Sequence, residues 1–444
     1  MKKSWSRICA LTMGIPLLLA LLAACGSGTT GSSSSSTPAA GSTIIKVATD
    51  FPVTGKDESG GKPAENGAAL AVTQANTNKT IPGYTLQFVP KDDVGPSGAH
   101  DAAVGKSNVT ALISDALVAG IVGPFNSGVA EAEMPVANQA PITLISPSNT
   151  LPCLTQNASQ SAACVGQYDV VSTLRPTGKI TYFRVATTDT SQGGVGATLL
   201  YGLGYRKVWV VDDAEAYGIG IANIFTTKWK GLGGTVLSRS SEPGTTTNFV
   251  SLLTSIAAAH PDVIYFGGTD ATGGTLFRSQ FKQVPGLANT PLGGGDGIVT
   301  GDFAKNVAPL GGGSSYGTTG SVDVTKVPAA QSFVTAYQSA FGTLGSYSAN
   351  AYDSMNILIQ AIKKAIAGGA VTPQNSGDTA GAVAFRTAVI AAMKTTDYTG
   401  PTGHHTFDAN GDTTNKVVSV FLIKNLKTPC DDTCWTFQKV IVAP

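Results

Sequence analysis

Two short polar loops carry hydroxyl side chains suited to holding a charged small molecule. The first reads Gly-Pro-Phe-Asn-Ser-Gly over residues 123–128 and includes Ser127, and the second includes Ser148 and Thr150. A hydroxyl beside free backbone N–H groups at the start of a helix is a good receptor for a carboxylate. An ordinary N-cap is the commoner role for such a serine. Because both loops follow neighbouring predicted strands, a binding site is favoured.

Three patterns that resemble catalytic or metal-binding motifs lack the context that such chemistry needs. Residues 313–317 fit the G-x-S-x-G pattern of hydrolases, but a glycine-rich loop is expected there rather than a strand-to-helix elbow. His404 and His405 precede an acidic stretch without the glycine and glutamate of a calcium loop, so a solvated hairpin is expected. His100 and His260 belong to no Ser-His-Asp or Cys-His set. We expect no enzyme activity, no catalytic residues, no cofactor and no metal site.

The elements that must position these loops alternate between β-branched runs and Ala-rich helical stretches. The first series predicts strands at 44–48, 85–89, 118–122 and 142–145 and helices at 64–76, 98–114 and 127–138. The second predicts strands at 182–185, 207–211, 235–237, 262–266 and 291–293 and helices at 194–203, 218–232, 249–259 and 272–283. Late helices at 329–341, 349–367 and 380–393 and a strand at 417–423 complete these units. The order predicts two wound α/β units with parallel sheets, whose ligands bind at the carboxyl ends of the strands.

Composition and charge exclude several classes of function. Of the 444 residues, 13% are charged and 42% are hydrophobic, so the chain can bury a sizeable core. Lys and Arg total 29 against 28 Asp and Glu. This near-neutral balance offers no electrostatic surface for DNA, RNA or an anionic membrane. The length alone corresponds to about three domains.

The N-terminus has the pattern of a secretory leader. Positive residues at 2, 3 and 7 precede an uncharged apolar run over 8–24, which predicts a signal peptide at residues 1–24. A permanent transmembrane helix is the alternative, but the run is shorter than about 20 residues and contains Pro16.

The leader ends in a sequence that predicts a lipid anchor. Its last residues read Leu-Ala-Ala-Cys, which resembles the bacterial lipobox and implies cleavage before a lipid-modified Cys25. Residues 25–43 are rich in serine and predict a flexible linker. We expect an extracytoplasmic protein that is lipid-anchored to the cell membrane, at the periplasmic face or the cell surface.

Four further cysteines, Cys153, Cys164, Cys430 and Cys434, follow the linker. Disulfides are expected because export leads to an oxidising compartment. Three pairings are open, and the sequence-local one joins Cys153 to Cys164 and Cys430 to Cys434. A four-cysteine zinc site is the competing interpretation, but the spacings lack paired CxxC motifs.

Segments along the whole body of the chain resemble, in order and spacing, the type I periplasmic binding proteins. They read IIKVATDFPVTG, NGAALAV, VGPFNSG, PITLISPSNT, FRVATTDTSQG, VVDDAEAYG, DVIYFGGTD and GPTGHHTFDANGD. The resemblance covers residues 44–424 and is strongest to the branched-chain amino acid (Leu/Ile/Val) solute-binding proteins of ABC transporters. It implies an α/β fold of two Rossmann-like lobes joined by three hinge crossovers. Lobe 1 would comprise 44–184 plus 322–405, and lobe 2 would comprise 185–321 plus 406–444.

The same resemblance implies roles for individual residues. Ser127 and Thr150 match positions that hold the ligand carboxylate, and Ser148 matches one that offers its backbone carbonyl to the ammonium group. Tyr217 matches an aromatic residue of the second lobe that covers the ligand. Asp296 matches a glutamate that pairs with the α-ammonium, although a carboxylate in a glycine-only loop is more often a turn residue. A zwitterion taken from water needs such donors and acceptors.

The departures from the family pattern concern the walls of the pocket. Gly60 and Thr269 stand where branched-chain receptors have aromatic residues, and Asp270 lies beside Thr269. Tyr347 is expected to replace one aromatic wall. The pocket is therefore expected to be roomier and more polar than an aliphatic ligand requires, which leaves a polar amino acid, an amide or a urea-like solute open.

These observations predict a monomeric solute-binding receptor of an ABC importer that captures an amino acid or a related solute and docks on permease subunits. A ligand-sensing lipoprotein of the same fold is the alternative. An anchored hydrolase is disfavoured by the absence of a nucleophile–base pair. An adhesive lipoprotein would have no use for paired polar loops at strand ends.

Overall fold

The computed structural model describes residues 43–164, 169–423 and 434–442. The predicted leader, Cys25, the linker up to residue 42 and Cys430 lie outside these residues. Thr43, which was assigned to the linker, begins the first strand.

The first sheet contains five parallel strands. They are β1 (Thr43–Phe51), β2 (Tyr84–Asp92), β3 (Val118–Val122), β4 (Thr143–Ser146) and β5 (Tyr182–Arg184). Their spatial order is β2-β1-β3-β4-β5. The carboxyl ends of β3 and β4 are therefore adjacent, and the two polar loops emerge side by side as predicted.

The second sheet has seven strands in the order β14-β13-β10-β9-β8-β6-β7. They are β6 (Lys207–Asp212), β7 (Thr235–Ser241), β8 (Val263–Gly267), β9 (Leu292–Gly294), β10 (Ser315–Thr319), β13 (Val417–Ile423) and β14 (Thr436–Val442). Between β10 and β13 the chain forms a small hairpin of β11 (Tyr398–Gly400) and β12 (Gly403–His405). β13 runs antiparallel to both of its neighbours, β10 and β14, so this sheet is mixed rather than wholly parallel.

Helices cover both faces of each sheet. Those of the first half are α1 (Glu58–Thr77), α2 (Ala102–Ser114), α3 (Ser127–Gln139) and α4 (Val170–Thr173). The second half has α5 (Asp189–Gly202), α6 (Ala216–Gly231), α7 (Val250–Ala259), α8 (Gly274–Gln280) and α9 (Gly301–Val307). The late helices are α10 (Gln331–Phe341), α11 (Ser348–Ala367) and α12 (Thr379–Met393). No helix in the described ranges is both long and apolar enough to span a membrane.

Apolar cores lie on both sides of each sheet and define two lobes. In the first lobe, α1, α11 and α12 pack on one face of the sheet and α2 and α3 on the other. Close packing of α1 on α11 depends on Gly67, because a Cβ there would lie 2.0 Å from the carbonyl oxygen of Ser348. In the second lobe, α5 and α6 cover one face of the sheet and α7, α8 and α9 the other.

The chain crosses between the two sheets after β5, after β10 and between β12 and β13, as the predicted fold class requires. The crossing segments are hydrogen-bonded to one another, from Thr187 N to Gly320 O (2.9 Å) and from Arg184 N to Gly411 O (3.1 Å). A buried ion pair joins Arg184 Nε to Asp412 Oδ1 at 2.7 Å. The segments that connect the lobes are therefore held to one another by hydrogen bonds and by a buried ion pair.

The predicted disulfide between Cys153 and Cys164 is confirmed, with Cα atoms 5.4 Å apart. It closes a segment after β4 that packs in the same core as α3. The second predicted pairing involves Cys430, which lies outside the described residues, and it stays a prediction.

The expectation of a glycine-rich loop around residues 313–317 is wrong. Ser315 begins β10, is 1% exposed and pairs with Leu292 and Ile423 of the neighbouring strands. Sequence reasoning failed because glycine weakens the apolar signal of a strand. The serine lies within a central strand and not on a strand-to-helix elbow, so the G-x-S-x-G match carries no nucleophile geometry.

The hairpin at His404 and His405 is confirmed, but it is only partly solvated. His404 is exposed, whereas His405 is 0% exposed and its two ring nitrogens bond the hydroxyls of Thr402 (2.8 Å) and Thr413 (2.9 Å). Burial, with a further contribution from His404, lowers the pKa of His405 to about 4. The imidazole is therefore neutral in the folded protein at pH 7.

We expect the free energy of unfolding to fall as the pH drops from about 6.5 to about 4. In that window the unfolded chain protonates His405 near its ordinary pKa of about 6.5, whereas the folded protein does not. Urea unfolding at pH 7 and pH 4.5 should show a loss attributable to His405 of about 2–3 kcal/mol. The loss should be absent in His405→Gln and present in His404→Gln. An identical pH dependence in wild type and His405→Gln would contradict this account.

Candidate functional site

A cavity of about 60 Å³ lies between the two lobes, at the carboxyl ends of the strands. Six of the seven residues predicted to bind ligand line it, namely Ser127, Ser148, Tyr217, Thr269, Asp296 and Tyr347. Lys56 and Asp57, just before α1, and Ser59 and Gly60, in its first turn, also contribute to the cavity wall. The structure thus brings together residues separated by 220 positions in the sequence.

Ser127 is presented by the N-terminus of α3. The short loop after β3 ends at Asn126, whose extended backbone precedes the helix, and Ser127 is its first residue. Ser127 is 3% exposed, and no described residue hydrogen-bonds its hydroxyl. The free hydroxyl and the unpaired N–H groups of the first turn make this corner of the cavity suitable for an anionic group.

Ser148 and Thr150 lie in the neighbouring loop after β4, but they differ in position. Ser148 lines the cavity, and its hydroxyl donates to the carbonyl of Phe125 (2.8 Å), which ties the two loops together. Thr150 lies behind the cavity wall, 1% exposed, and its carbonyl accepts from the backbone N–H of Asp189 (2.8 Å). Direct contact of Thr150 with a ligand therefore stays a prediction.

Asp296 is the charged centre of the cavity and is held by residues from both lobes. Tyr217 Oη and Gln192 Nε2 donate to Oδ1 at 2.7 and 2.5 Å, and Tyr347 Oη donates to Oδ2 at 2.9 Å. Tyr347 precedes α11 of the first lobe, so this hydrogen bond joins the lobes. Burial raises the pKa of Asp296, while the three donors act in the opposite direction. The carboxylate retains accepting capacity toward the cavity that it lines.

A second carboxylate, Asp189, lies directly behind Asp296 and was not predicted as part of the site. Gln192 Nε2 donates to Asp189 Oδ1 (2.9 Å) as well as to Asp296, and Asp189 Oδ2 has no hydrogen-bond partner. Burial and the charge of Asp296 raise the pKa of Asp189 well above its usual value. No Lys or Arg in the described parts of the chain forms a salt bridge with either carboxylate. This wall of the cavity therefore favours a cation.

Phe125 supplies an aromatic wall that sequence reasoning missed. It lies beside Gly60, where an added Cβ would be 3.2 Å from its ring, and it makes an edge contact with Tyr347 at 6.0 Å between ring centroids. The side chain occupies space that the glycine leaves open. The signal was present, because Phe125 stands within the polar loop before Ser127. The pocket is therefore more apolar on this side than Gly60 alone suggests.

Thr269 and Asp270 line the cavity, but their polar atoms are largely occupied within their own lobe. The Thr269 hydroxyl bonds that of Thr272 (2.9 Å). Asp270 accepts from the backbone N–H of Thr275 (3.0 Å) and from the Thr300 hydroxyl (3.1 Å). Asp270 thus holds the loop before α8, and Asp296 is the better placed carboxylate for a ligand.

His100 links the lobes next to the cavity. Its Nδ1 lies 3.0 Å from Asp57, which lines the cavity, and its Nε2 lies 2.8 Å from Glu215 at the start of α6 in the second lobe. Burial lowers the pKa of His100, but the two carboxylates outweigh that effect and raise it well above its usual value. Asp93 is a further carboxylate close enough to interact with this imidazolium. Sequence reasoning missed this contact because its members are distant along the chain.

We expect the pKa of His100, measured by NMR titration of its ring protons, to lie above the ordinary value of about 6.5. The contacts of protonated His100 with Asp57 and Glu215 stabilise the folded protein fully below pH 6.5. This contribution to the free energy of unfolding is lost as the pH rises through the raised pKa, because the folded protein then releases a proton that the unfolded chain has already lost. Glu215→Gln should lower the pKa of His100, whereas Glu242→Gln should leave it unchanged. Equal values in wild type and Glu215→Gln would show that the inter-lobe contact is not formed.

Comparison with known proteins agrees with this architecture. A model of the periplasmic binding protein family matches residues 44–427. The chain is 28% identical over 323 residues to the Leu/Ile/Val-binding protein BraC3 of Rhizobium johnstonii, covering 72% of this chain and 79% of that protein.

Solved structures with the same fold differ in what they bind. The leucine-binding protein LivK of Thermotoga maritima superimposes with a TM-score of 0.71 at 23% identity, covering 89% of this chain and 98% of that one. A solute-binding protein from R. palustris in complex with 4-hydroxybenzoate superimposes with a TM-score of 0.70 at 20% identity, covering 90% of this chain and 98% of that one. These likenesses show the fold and not the ligand.

The chain belongs to the periplasmic binding protein family, as a type I protein of the branched-chain amino acid group. It is a solute-binding protein of the type that serves branched-chain amino acid ABC transporters. Membership of the family implies an extracytoplasmic location.

Proposed function

We propose that this protein is the receptor of an ABC importer and captures an α-amino acid between its lobes. The observation that carries the proposal is Asp296, a carboxylate in the cavity wall with Asp189 behind it and no basic side chain of the described residues paired to either. Two neighbouring carboxylates without a basic partner favour a ligand that places a cationic group, such as an ammonium, beside them. The N-terminus of α3 with Ser127 is the matching site for the ligand carboxylate.

Closure couples binding to function. Asp296 belongs to the second lobe and Ser127 to the first, so a zwitterion that contacts both stabilises the closed form over the open one. Tyr217 and Tyr347 cover the ligand and orient Asp296, and Ser148 and Thr269 complete the wall. Thr150 supports the carboxylate-binding loop. The closed form then docks on the permease subunits of the importer.

Several further features belong to the same proposal. Cys25 carries the lipid anchor, and the residues from there to 42 act as a tether. Lobe 1 comprises 43–184 plus 322–405, lobe 2 comprises 185–321 plus 406–444, and the receptor works as a monomer. Sensing without transport is the alternative, and the same cavity would serve it.

Ligand screening by thermal shift tests the proposal. The panel should include the amino acids, their amides, short polyols and 4-hydroxybenzoate, since a protein of the same fold binds that anion. We expect one class of α-amino acids to raise the melting temperature by mass action. A flat response across the panel, or a response to the benzoate alone, would refute an amino-acid receptor.

A further inference from the structure

Three acidic side chains converge on a point within the first lobe, apart from the cavity. Asp50 lies in β1, Asp93 follows β2, and Glu133 lies in α3. One carboxylate oxygen from each lies within 4.8 Å of the others, and all three residues are 0% exposed. We call these three residues the acidic cluster. None of them lines the cavity between the lobes.

The acidic cluster lacks the donors that buried carboxylates need. Both oxygens of Asp93, both of Glu133 and one of Asp50 have no hydrogen-bond partner outside the cluster. Within it, Asp50 and Glu133 are close enough to share a hydrogen bond when one of them is protonated. The five oxygens are among the six buried carboxylate oxygens of the described ranges that lack any other partner. The remaining oxygen, Asp50 Oδ1, accepts from Asn108 Nδ2 at 2.9 Å.

Two other buried carboxylates among the described residues, Asp353 and Asp412, are satisfied, in contrast to the acidic cluster. Asp353 is equally buried, yet it accepts from Tyr398 Oη (2.9 Å) and from the backbone N–H of Thr402 (2.8 Å). Asp412 is paired with Arg184. Burying a charge is strongly unfavourable unless an opposite charge or a metal compensates it. Glycine at position 105 lets Glu133 approach α2 closely, because a Cβ there would lie 2.7 Å from Glu133 Oε1.

We propose that the acidic cluster binds a hard divalent cation, with Ca²⁺ as its ion. Carboxylate oxygens are ligands for Ca²⁺, Mg²⁺ and Mn²⁺. Ca²⁺–oxygen distances of about 2.3–2.6 Å allow two ligands to be about 5 Å apart across the ion, which matches the spacing of the three carboxylates. Mg²⁺ usually retains several waters and seldom occupies all-protein cages, so a site enclosed by three carboxylates favours Ca²⁺.

A bound ion would join β1 and β2 to the helix that begins at Ser127. It would fix the position of α3 on the sheet and so the corner of the cavity that faces the ligand. The site does not depend on the identity of the solute, and its test requires no solute.

The test uses the whole purified protein, stripped with EDTA and dialysed into metal-free buffer. Equilibrium dialysis against CaCl₂, followed by metal analysis, should find one Ca²⁺ per chain at about 1 mM, the range of extracellular calcium sites. The melting temperature should rise with CaCl₂ and rise less with MgCl₂ at the same ionic strength. Asp93→Asn and Glu133→Gln should each lose the stoichiometric ion, whereas the matched control Asp353→Asn should keep it.

Absence of stoichiometric Ca²⁺ in the wild type would overturn the proposal and leave protons as the compensating charge. Equal effects of Ca²⁺ and Mg²⁺ on melting would also overturn it, because they indicate a general ionic effect. Retention of the ion by both Asp93→Asn and Glu133→Gln would place it elsewhere. If a variant fails to fold, the number of Ca²⁺ ions bound per wild-type chain and the comparison of Ca²⁺ with Mg²⁺ in melting still test the proposal.

Discussion

Replacing Asp296 with alanine is expected to weaken binding of an α-amino acid by about 30-fold or more. Removing one member of a buried, hydrogen-bonded charge pair costs about 2 kcal/mol or more, and each 1.4 kcal/mol corresponds to about tenfold in affinity. Asp296 is the carboxylate of the cavity that donors from both lobes orient, so the ligand ammonium loses its main acceptor. Isothermal titration calorimetry with the amino acid found by thermal-shift screening measures the effect.

Two controls separate ammonium pairing from general damage to the site. Asp302→Ala removes a nearby carboxylate in α9 that does not line the cavity, and it should bind like the wild type. A ligand analogue without the ammonium should lose much less affinity than the amino acid when Asp296 is replaced. Equal losses for both ligands would contradict pairing between Asp296 and the ammonium group.

Replacing Arg184 with methionine is expected to lower the free energy of unfolding by about 3–5 kcal/mol. Arg184 is 0% exposed, pairs with Asp412 and donates to the carbonyl of Leu151 (2.6 Å) and the hydroxyl of Thr155 (2.5 Å). Methionine leaves Asp412 buried without its counter-charge. Because the pair joins two segments that cross between the lobes, the loss should appear in the cooperative unfolding of the protein.

Urea denaturation of Arg184→Met should be compared with that of Lys62→Met. Lys62 pairs with Glu65 at 2.6 Å, but its side chain is 48% exposed, so its loss should cost less than about 1 kcal/mol. Similar small effects for the two variants would show that the Arg184–Asp412 pair does not stabilise the connection.

The positions of the two polar loops followed from the sequence because strand order and strand polarity are strongly constrained in wound sheets. β3 was predicted with its correct bounds, Val118–Val122, and Ser127 was correctly placed at the start of a helix. Both strands that end in these loops are wholly buried, and such runs produce a clear apolar signal.

The elements that were missed have weak local signals. β14 lies at the edge of the second sheet and exposes most of its residues, so it has no buried apolar run. β10 contains a glycine, a serine and two threonines among its five residues, and only its neighbours β9 and β13 make it a strand. Pairing with neighbouring strands, rather than local sequence, therefore determines that these two segments form β-strands.

The site residues that were missed depend on contacts across the chain. Asp189 begins α5, where an acidic residue ordinarily favours the helix N-terminus, and nothing local connects it with Asp296. Gln192 joins the two carboxylates only after the second lobe has folded. The resemblance to a family indicated which loops to consider, whereas the geometry identified the paired carboxylates.

A crystal structure of the protein with the amino acid that most raises its melting temperature tests the central claim most directly. We predict that the ligand lies in the cavity between the lobes, with its carboxylate at Ser127 and the N-terminus of α3 and its ammonium group within hydrogen-bonding distance of Asp296. A ligand bound elsewhere, or one whose ammonium group points away from Asp296, would contradict the account.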